Sequence, residues 1–270
     1  MNLNPNAIPT ILLSFLWFWL WASLTRRIDS RARRAALLIL AVILSIPGAL
    51  FVIYYAHLFD NAAWFYQFRT APYSELAASG LGALAGFLHC VFQPKSLREK
   101  LVLPVALGVL LFIPFIKSVL DPVDYGTLRP ECDGEVCLQS TPSTCGPSSA
   151  ATLLKLFGQN ASEQELARES FTYRGGTEIW YIARVLQKRG FRMQFVIMPR
   201  DQIAPPIPSI AGVVLPGGAG HFIAMMRANA EETTIGDPLK GKITIPRKEL
   251  QSRYHFTGFF LQVGPNTGQY

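Results

Sequence analysis

The chain opens with four apolar stretches separated by short polar loops. Ala7 to Leu24 carries no charge and is rich in Trp, Phe and Leu, and Ala35 to Ala56 is likewise uncharged. Leu76 to Phe92 is apolar but built from small residues and contains His89, and Leu101 to Ile116 is apolar with Pro104 and Pro114 inside. A helix crosses a bilayer with about 20 residues, within a range of about 17–25. The first two stretches meet that length outright. The third meets it with little transfer energy, because Gly and Ala contribute little. The fourth meets it when Lys100 and Lys117 snorkel to the interfaces. The pattern predicts an all-α membrane domain of four transmembrane helices over residues 1–118. Residues 7–24 lack a basic n-region and their positive charge follows the apolar run, so they are expected to stay as a span rather than be cleaved.

From Asp121 the pattern changes. A polar connector over 119–136 leads into a domain over 137–270 in which helical and strand periods alternate. Pro147 to Phe157 reads as a helix closed by Gly158. Ser162 with Glu165 three residues on is a capping box, and Thr177 caps a helix through Ile179, Ile182, Ala183 and Leu186. Arg192–Met198, Ile210–Leu215, Phe222–Arg227, Thr233–Ile235, Lys242–Ile245 and Gly258–Val263 read as strands. Helices first and strands later predict an α+β fold rather than a parallel βαβ array.

Charge changes the picture twice. The 25 Lys and Arg against 18 Asp and Glu give a net +7 that would suggest nucleic acid. Divided at residue 118, however, the first part holds 10 basic and 4 acidic residues and the second 15 and 14. The basicity belongs to the apolar half, where it reads as membrane topology, with no nucleic-acid footprint. Arg26, Arg27, Arg31, Arg33 and Arg34 put the first loop on the cytoplasmic side, and Lys95, Arg98 and Lys100 do the same for the third. The loop His57 to Glu75 has only Arg69 as a base and carries Trp64, Phe65, Tyr66 and Tyr73, which suit an interfacial belt. Residues 119–270 are then expected outside the cytoplasm, on a multi-pass protein of a bacterial inner membrane.

The candidate chemistry lies in the second half. Cys145 precedes Gly146-Pro147, and Pro suits a first helical turn, so the thiol is expected at a helix N-terminus. Exposed N–H groups and the positive dipole end favour thiolate there. His221 follows Gly217-Gly218-Ala219-Gly220 at the start of an apolar strand, which aims its imidazole at a cleft. Asp237 sits just after a strand, in Gly236-Asp237-Pro238. It reads either as a turn residue or as a carboxylate accepting from His221 Nδ1–H. Gln139, six residues before Cys145, is able to donate into an oxyanion hole beside the Cys145 N–H.

Together, Gln139, Cys145-Gly146, Gly220-His221-Phe222 and Asp237-Pro238 resemble the bacteriocin-processing cysteine peptidases, a papain-like family that cleaves after double-glycine leaders. The resemblance covers about residues 132–263. In that family the His follows the Cys by some 70 to 80 residues and the Asp follows the His by about 16; here the separations are 76 and 16. It implies Cys145 as nucleophile, His221 as general base and acid, Asp237 as orienter and Gln139 as oxyanion donor. Three departures stand out. Thr144 replaces the Asp that often precedes the Cys. The chain has no G-x-x-x-x-G-K-[ST] phosphate loop, unlike the family's exporters. The family domain normally works in the cytoplasm. They leave the substrate open: a peptide or protein, leader-bearing or not.

Cys132 and Cys137 flank Asp133-Gly134-Glu135-Val136. Their spacing is wrong for a redox C-x-x-C and offers too few ligands for zinc, leaving a small disulfide or two free thiols. Cys90 reads as a packing residue. No cofactor and no metal are expected; the expected partners are a peptide substrate, the bilayer and a separate transporter or assembly system. The sequence thus reads as a membrane-anchored cysteine peptidase. A catalytically idle papain-like binding module and acyl transfer to an amine remain open beside it.

Overall fold

The computed structural model describes residues 4–93, 95–200 and 204–266, so the outermost ends of the expected domains lie outside the described residues. The chain divides into two compact units. One runs to Asp60 and resumes over Pro72–Val119; the other combines Asn61–Ala71 with everything from Leu120. The uninterrupted 1–118 domain expected from the sequence is therefore broken by a short insert that belongs to the other unit.

The first unit is helical: α1 (Ala7–Arg27), α2 (Arg31–Tyr54), then, beyond the insert, a 3₁₀ segment Ser74–Gly80 leading into α4 (Leu81–Phe92), and α5 (Leu97–Leu120). The small residues of α4 have a steric purpose. A Cβ on Gly82 would lie 2.0 Å from the Ser14 carbonyl oxygen, and one on Gly86 2.2 Å from that of Phe18. Glycine thus lets the α4 backbone rest on that of α1, the close approach typical of helix pairs in lipid. Trp21, Ala41, Ala83 and Phe87 fill the seam, and Asn6 Nδ2 donates to the buried Glu75 carboxylate at 2.8 Å. The outer faces of α1 and α2 expose Ile8, Leu12, Leu16, Trp19, Ile39 and Ile43. Ala7–Arg27, Arg31–Tyr54 and Ser74–Phe92 are each long and apolar enough to cross a membrane.

The insert is α3 (Ala63–Thr70), and it corrects the interfacial-belt expectation in part. Phe65 and Tyr66 are buried within the second unit, while Trp64 and Tyr73 are exposed. After the connector come a hairpin of β1 (Glu131–Asp133) and β2 (Val136–Leu138), then α6 (Cys145–Leu156), α7 (Glu163–Glu169) and α8 (Ile179–Lys188). The remaining strands are β3 (Phe191–Ile197), β4 (Ser209–Val214), β5 (Gly220–Ala228), β6 (Glu232–Asp237), β7 (Gly241–Pro246) and, after the single turn α9 (Leu250–Arg253), β8 (His255–Pro265). They form one antiparallel six-stranded sheet in the order β3-β8-β4-β5-β6-β7. After the β1–β2 hairpin, α6, α7 and α8 precede the strands of the six-stranded sheet, in line with the α+β expectation. Ser162 does cap α7, accepting from Glu165 N at 3.1 Å. Thr177 does not cap α8: Glu178 holds that position, and the Thr177 hydroxyl instead meets Thr172 Oγ1 at 2.7 Å.

α3 docks on α8 and β3 through its aromatic face. The Tyr66 ring lies 4.9 Å from that of Phe259, 5.5 Å from Phe195 and 6.2 Å from Trp180. The Arg69 guanidinium stacks over Trp180 at 4.8 Å. Arg184 Nε and Nη2 donate to the Arg69 carbonyl at 3.1 and 2.6 Å, satisfying an end carbonyl of the helix.

Candidate active site

α6 begins at Cys145 itself, two residues before the predicted start, so the sulfur sits on the first helical turn. Thr144 stands at the cap position but spends its hydroxyl on Thr141, at 3.2 Å from its N and 3.0 Å from its O. It therefore leaves the first N–H groups of α6 uncapped. Gly146 makes room for the neighbouring helix, since a Cβ there would lie 2.6 Å from Ile182 Cδ1. Three buried hydroxyls then fix α6 in place. Ser148 Oγ donates to Leu138 O (3.2 Å), Thr152 Oγ1 accepts from Cys137 N (2.9 Å), and Ser149 Oγ donates to Phe222 O (3.1 Å). The first two bonds tie the helix to β2, the strand leading to Gln139. The third ties it to β5, beside His221.

His221 is the second residue of β5, paired with Val213 of β4. Asp237 is the last residue of β6 rather than the first beyond it. The two side chains are almost wholly shielded from solvent, and His221 Nε2 lies 3.0 Å from Asp237 Oδ1. The expected contact was through Nδ1, so the ring is turned the other way. The Cys145 sulfur acts on the same imidazole and favours its charged form. Burial by itself lowers the His221 pKa; the Asp237 carboxylate and the Cys145 sulfur together overturn this and raise it to about 9. For Asp237, burial pushes upward but is outweighed by the bonds from His221, Leu239 N and Tyr254, so its carboxyl lies below the ordinary value. A Cys–His–Asp set of this kind is able to hold a proton on the ring beside the sulfur.

Gln139 reaches the same end of the sheet by its backbone: its N donates to Pro238 O at 3.0 Å, next to Asp237. Its side-chain amide donates one hydrogen to Thr141 O at 2.8 Å. Its Oε1 is buried with no hydrogen-bond partner among the described residues. Glu163 holds this loop from α7. Its buried carboxylate accepts from Ser140 N at 2.7 Å and from the Ser140 hydroxyl.

Cys132 and Cys137 are directly opposite in the β1–β2 hairpin and their sulfurs are bonded, 2.06 Å apart. Gly134 takes the positive φ (+55°) that the first central residue of this two-residue loop needs. Glu135, at the same tip, bonds Arg227 and Lys242, both at 2.7 Å, and these partners hold its carboxyl down at about 2. No group of His, Cys, Asp and Glu able to hold a metal occurs among the described residues.

The sequence pattern of the peptidase C39 family matches residues 134–268, half of the chain. The chain belongs to the peptidase C39 family. Its second unit accordingly has the papain-like α+β fold of that family, behind an N-terminal helical region. Among similar proteins, an uncharacterized protein of Methanothermobacter thermautotrophicus is 31% identical over 136 residues, 48% of this chain and 89% of its own length. The lactococcin-G-processing and transport ATP-binding protein LagD of Lactococcus lactis is 27% identical over 131 residues, 47% of this chain but only 18% of LagD. Solved structures to which the chain is similar include the peptidase domain of Streptococcus ComA, a bifunctional ABC transporter. It shows 23% identity and a TM-score of 0.38 over 51% of this chain and 97% of that one. A double-glycine-motif protease from an AMS/PCAT transporter, in complex with its leader peptide, shows 19% identity and a TM-score of 0.41 over 51% and 92%.

Three kinds of supporting residue escaped the sequence reading. Ser148, Ser149 and Thr152 carry no motif, although hydroxyls recurring on one small-residue helix are a usable signal. Glu163 was hidden beside the capping box. Tyr254, whose Oη donates to Asp237 Oδ2 at 3.1 Å, stands in the polar run Ser252-Arg253-Tyr254-His255, which carries no motif.

Proposed function

We propose that the protein is a membrane-anchored cysteine peptidase acting on a leader-bearing peptide. The observation that carries this reading is the continuous line from Cys145 through His221 to Asp237. In the reaction, the Cys145 thiolate attacks the scissile carbonyl. The Cys145 N–H and the unengaged hydrogen of Gln139 Nε2 stabilise the oxyanion. His221 then gives its Nδ1 proton to the leaving amine, and the same nitrogen takes a proton from the water that releases the acyl group. Asp237 stabilises the imidazolium whenever it forms and keeps the ring aimed throughout. The test is cleavage of a synthetic leader peptide ending in two glycines by the solubilised full chain. Wild type should release the leader, Cys145→Ala should release none, and Gln139→Ala should be slower by about 10²–10³. Equal rates in all three would end the reading.

For the membrane, connectivity supports four spans. Residues 61–71 and 120–270 pack as one unit, so both lie on one side of any bilayer. The chain between them must then cross an even number of times, and α4 as a span requires α5 as another. This parity agrees with the cationic loops at 26–34 and 95–100, which it puts together on the opposite, cytoplasmic side. Thiol labelling from each face of sealed vesicles tests it. Single cysteines at Gln67 and Gln187 should label from one side and one at Arg33 from the other. Opposite labelling of Gln67 and Gln187 would refute the topology.

A further inference from the structure

We infer that Tyr254 is a positioning residue of the active site, holding the Asp237 carboxylate in the rotation that keeps His221 aimed at Cys145; the inference rests on the peptidase reading. The Asp237 side chain is 1% exposed. Its Oδ1 is committed twice, to His221 Nε2 and to Leu239 N, each at 3.0 Å. Among the described residues its Oδ2 has one close donor, the Tyr254 hydroxyl at 3.1 Å. Lys240 Nζ stands off at 3.9 Å on an exposed side chain, and its ammonium also rests over the Tyr254 ring at 5.4 Å. A carboxylate this far from water needs its acceptor sites filled. With Oδ2 unfilled, rotation about the Cβ–Cγ bond would bring Oδ1 away from the imidazole in exchange for other donors.

Tyr254 itself is rigidly held. Its N donates to Leu250 O at 3.0 Å, its carbonyl accepts from Phe256 N at 3.1 Å, and its ring belongs to the buried cluster with Phe256, Leu250, Ile235 and Met225. Burial, then the charge of Asp237, push its phenol upward, so the hydroxyl remains a donor throughout the range in which the ion pair exists. Tyr254 bonds the carboxylate, not the reacting atoms, and acts through Asp237 and His221.

The test compares wild type and Tyr254→Phe as full chains in a Cys90→Ser background, which leaves Cys145 as the single free thiol. Peptide hydrolysis is followed with the diglycine leader. Separately, alkylation of Cys145 by iodoacetate, which is drawn to the imidazolium, is followed across pH with no peptide present. The expected result is a kcat lower by about tenfold, the loss of one hydrogen bond to a charged group, with KM within twofold. The alkaline fall in alkylation should also move acid-ward from about 9. In an Asp237→Asn background the same change should have no further effect on either readout. Equal kcat and an unmoved alkaline limb would overturn the inference. If wild type cleaves no peptide, the peptidase reading falls, and the alkylation profiles still decide the role of Tyr254. Should Tyr254→Phe fail to fold, 3,5-difluorotyrosine at position 254 keeps ring and hydroxyl while acidifying the phenol. The alkaline limb should then drop as that phenol ionises, and an unchanged limb would again refute the role.

Discussion

The carboxylate of Asp237 is what keeps the His221 imidazole charged, and Asp237→Asn removes that charge while preserving the shape. In the wild type the imidazole pKa is about 9. Near pH 7.5 the imidazolium therefore outnumbers the neutral ring by about 30 to 1. Without the carboxylate, the Cys145 sulfur alone is left to oppose burial, and the pKa is expected to fall from about 9. A return to the ordinary value of about 6.5 would be the full extent of that fall, with the neutral ring ahead by about 10 to 1 near pH 7.5. The imidazolium beside Cys145 thus goes from nearly complete to, at that limit, a minority of about a tenth. The assay is alkylation of Cys145 from about pH 5 to 10, with iodoacetate as the charge-sensitive reagent and iodoacetamide as the neutral control. Wild type should hold a plateau with iodoacetate and lose it through about pH 9 as the imidazolium deprotonates. Asp237→Asn should lack that plateau and be roughly tenfold slower near pH 7.5 with both reagents. Peptide hydrolysis should follow the same limb, because the leaving amine needs the imidazolium proton. An Asp237→Asn variant that keeps its limb near 9 would refute the claim that the carboxylate sets the charge of His221.

The same shifts set a stability window. The folded-state pKa of His221 is raised, so its contribution is full below about 6.5 and fades as pH climbs through about 9. That of Asp237 is depressed, so its contribution is present above about 3.9 and is lost as pH falls through its lower folded value. Urea midpoints of the wild type should therefore decline toward both ends, and Asp237→Asn should flatten the alkaline decline. Ser149→Ala removes the bond from α6 to the Phe222 carbonyl; it should cost about 1–3 kcal/mol of stability and lower kcat more than it raises KM. The Cys132→Ser, Cys137→Ser pair should lower stability by about 2 kcal/mol by loop entropy, yet keep most activity because Glu135 still holds Arg227 and Lys242. Tyr66→Ala empties an aromatic site in the second unit and should cost about 3–5 kcal/mol, read as a drop in melting temperature; a surface role would leave it unchanged.

Some of this was readable from the sequence, and the division follows the range of the interactions. Helix α6, the strand bearing His221 and the capping box of α7 are local patterns, set by Pro147, by apolar runs and by Ser162 with Glu165. The partnership of Cys145, His221 and Asp237 is not local, and only their order and spacing, matched to a family, exposed it. The imidazole nitrogen facing Asp237 came out reversed because nothing in the sequence encodes the rotation of a side chain. The helix α3 was taken for an interfacial aromatic belt, since Trp64, Phe65, Tyr66 and Tyr73 satisfy either reading until the burial of Phe65 and Tyr66 distinguishes them. Tyr254 and Glu163 were missed for one reason. A residue whose only role is to satisfy a distant polar atom leaves no period and no spacing.

Apolar packing alone would not hold the three groups in line, because it is non-directional and tolerates small slips. The helix carrying Cys145 is instead fixed by hydroxyls on Ser148, Ser149 and Thr152, which bind two different strands at defined angles. One of those strands leads to Gln139 and the other carries His221, so the same helix indexes both residues to the Cys145 sulfur. The opposite side of this scaffold depends on α3. Trp180 and Arg184 of α8 hold α3, and Ile182 of the same helix packs against Gly146. A cut at residue 119 would remove α3 and uncover Trp180, Phe195 and Phe259 together. The second unit is for that reason discontinuous in sequence. The loop between the second and third apolar helices is part of its core, and the position of α8 beside Cys145 depends on a segment supplied from within the helical half of the chain.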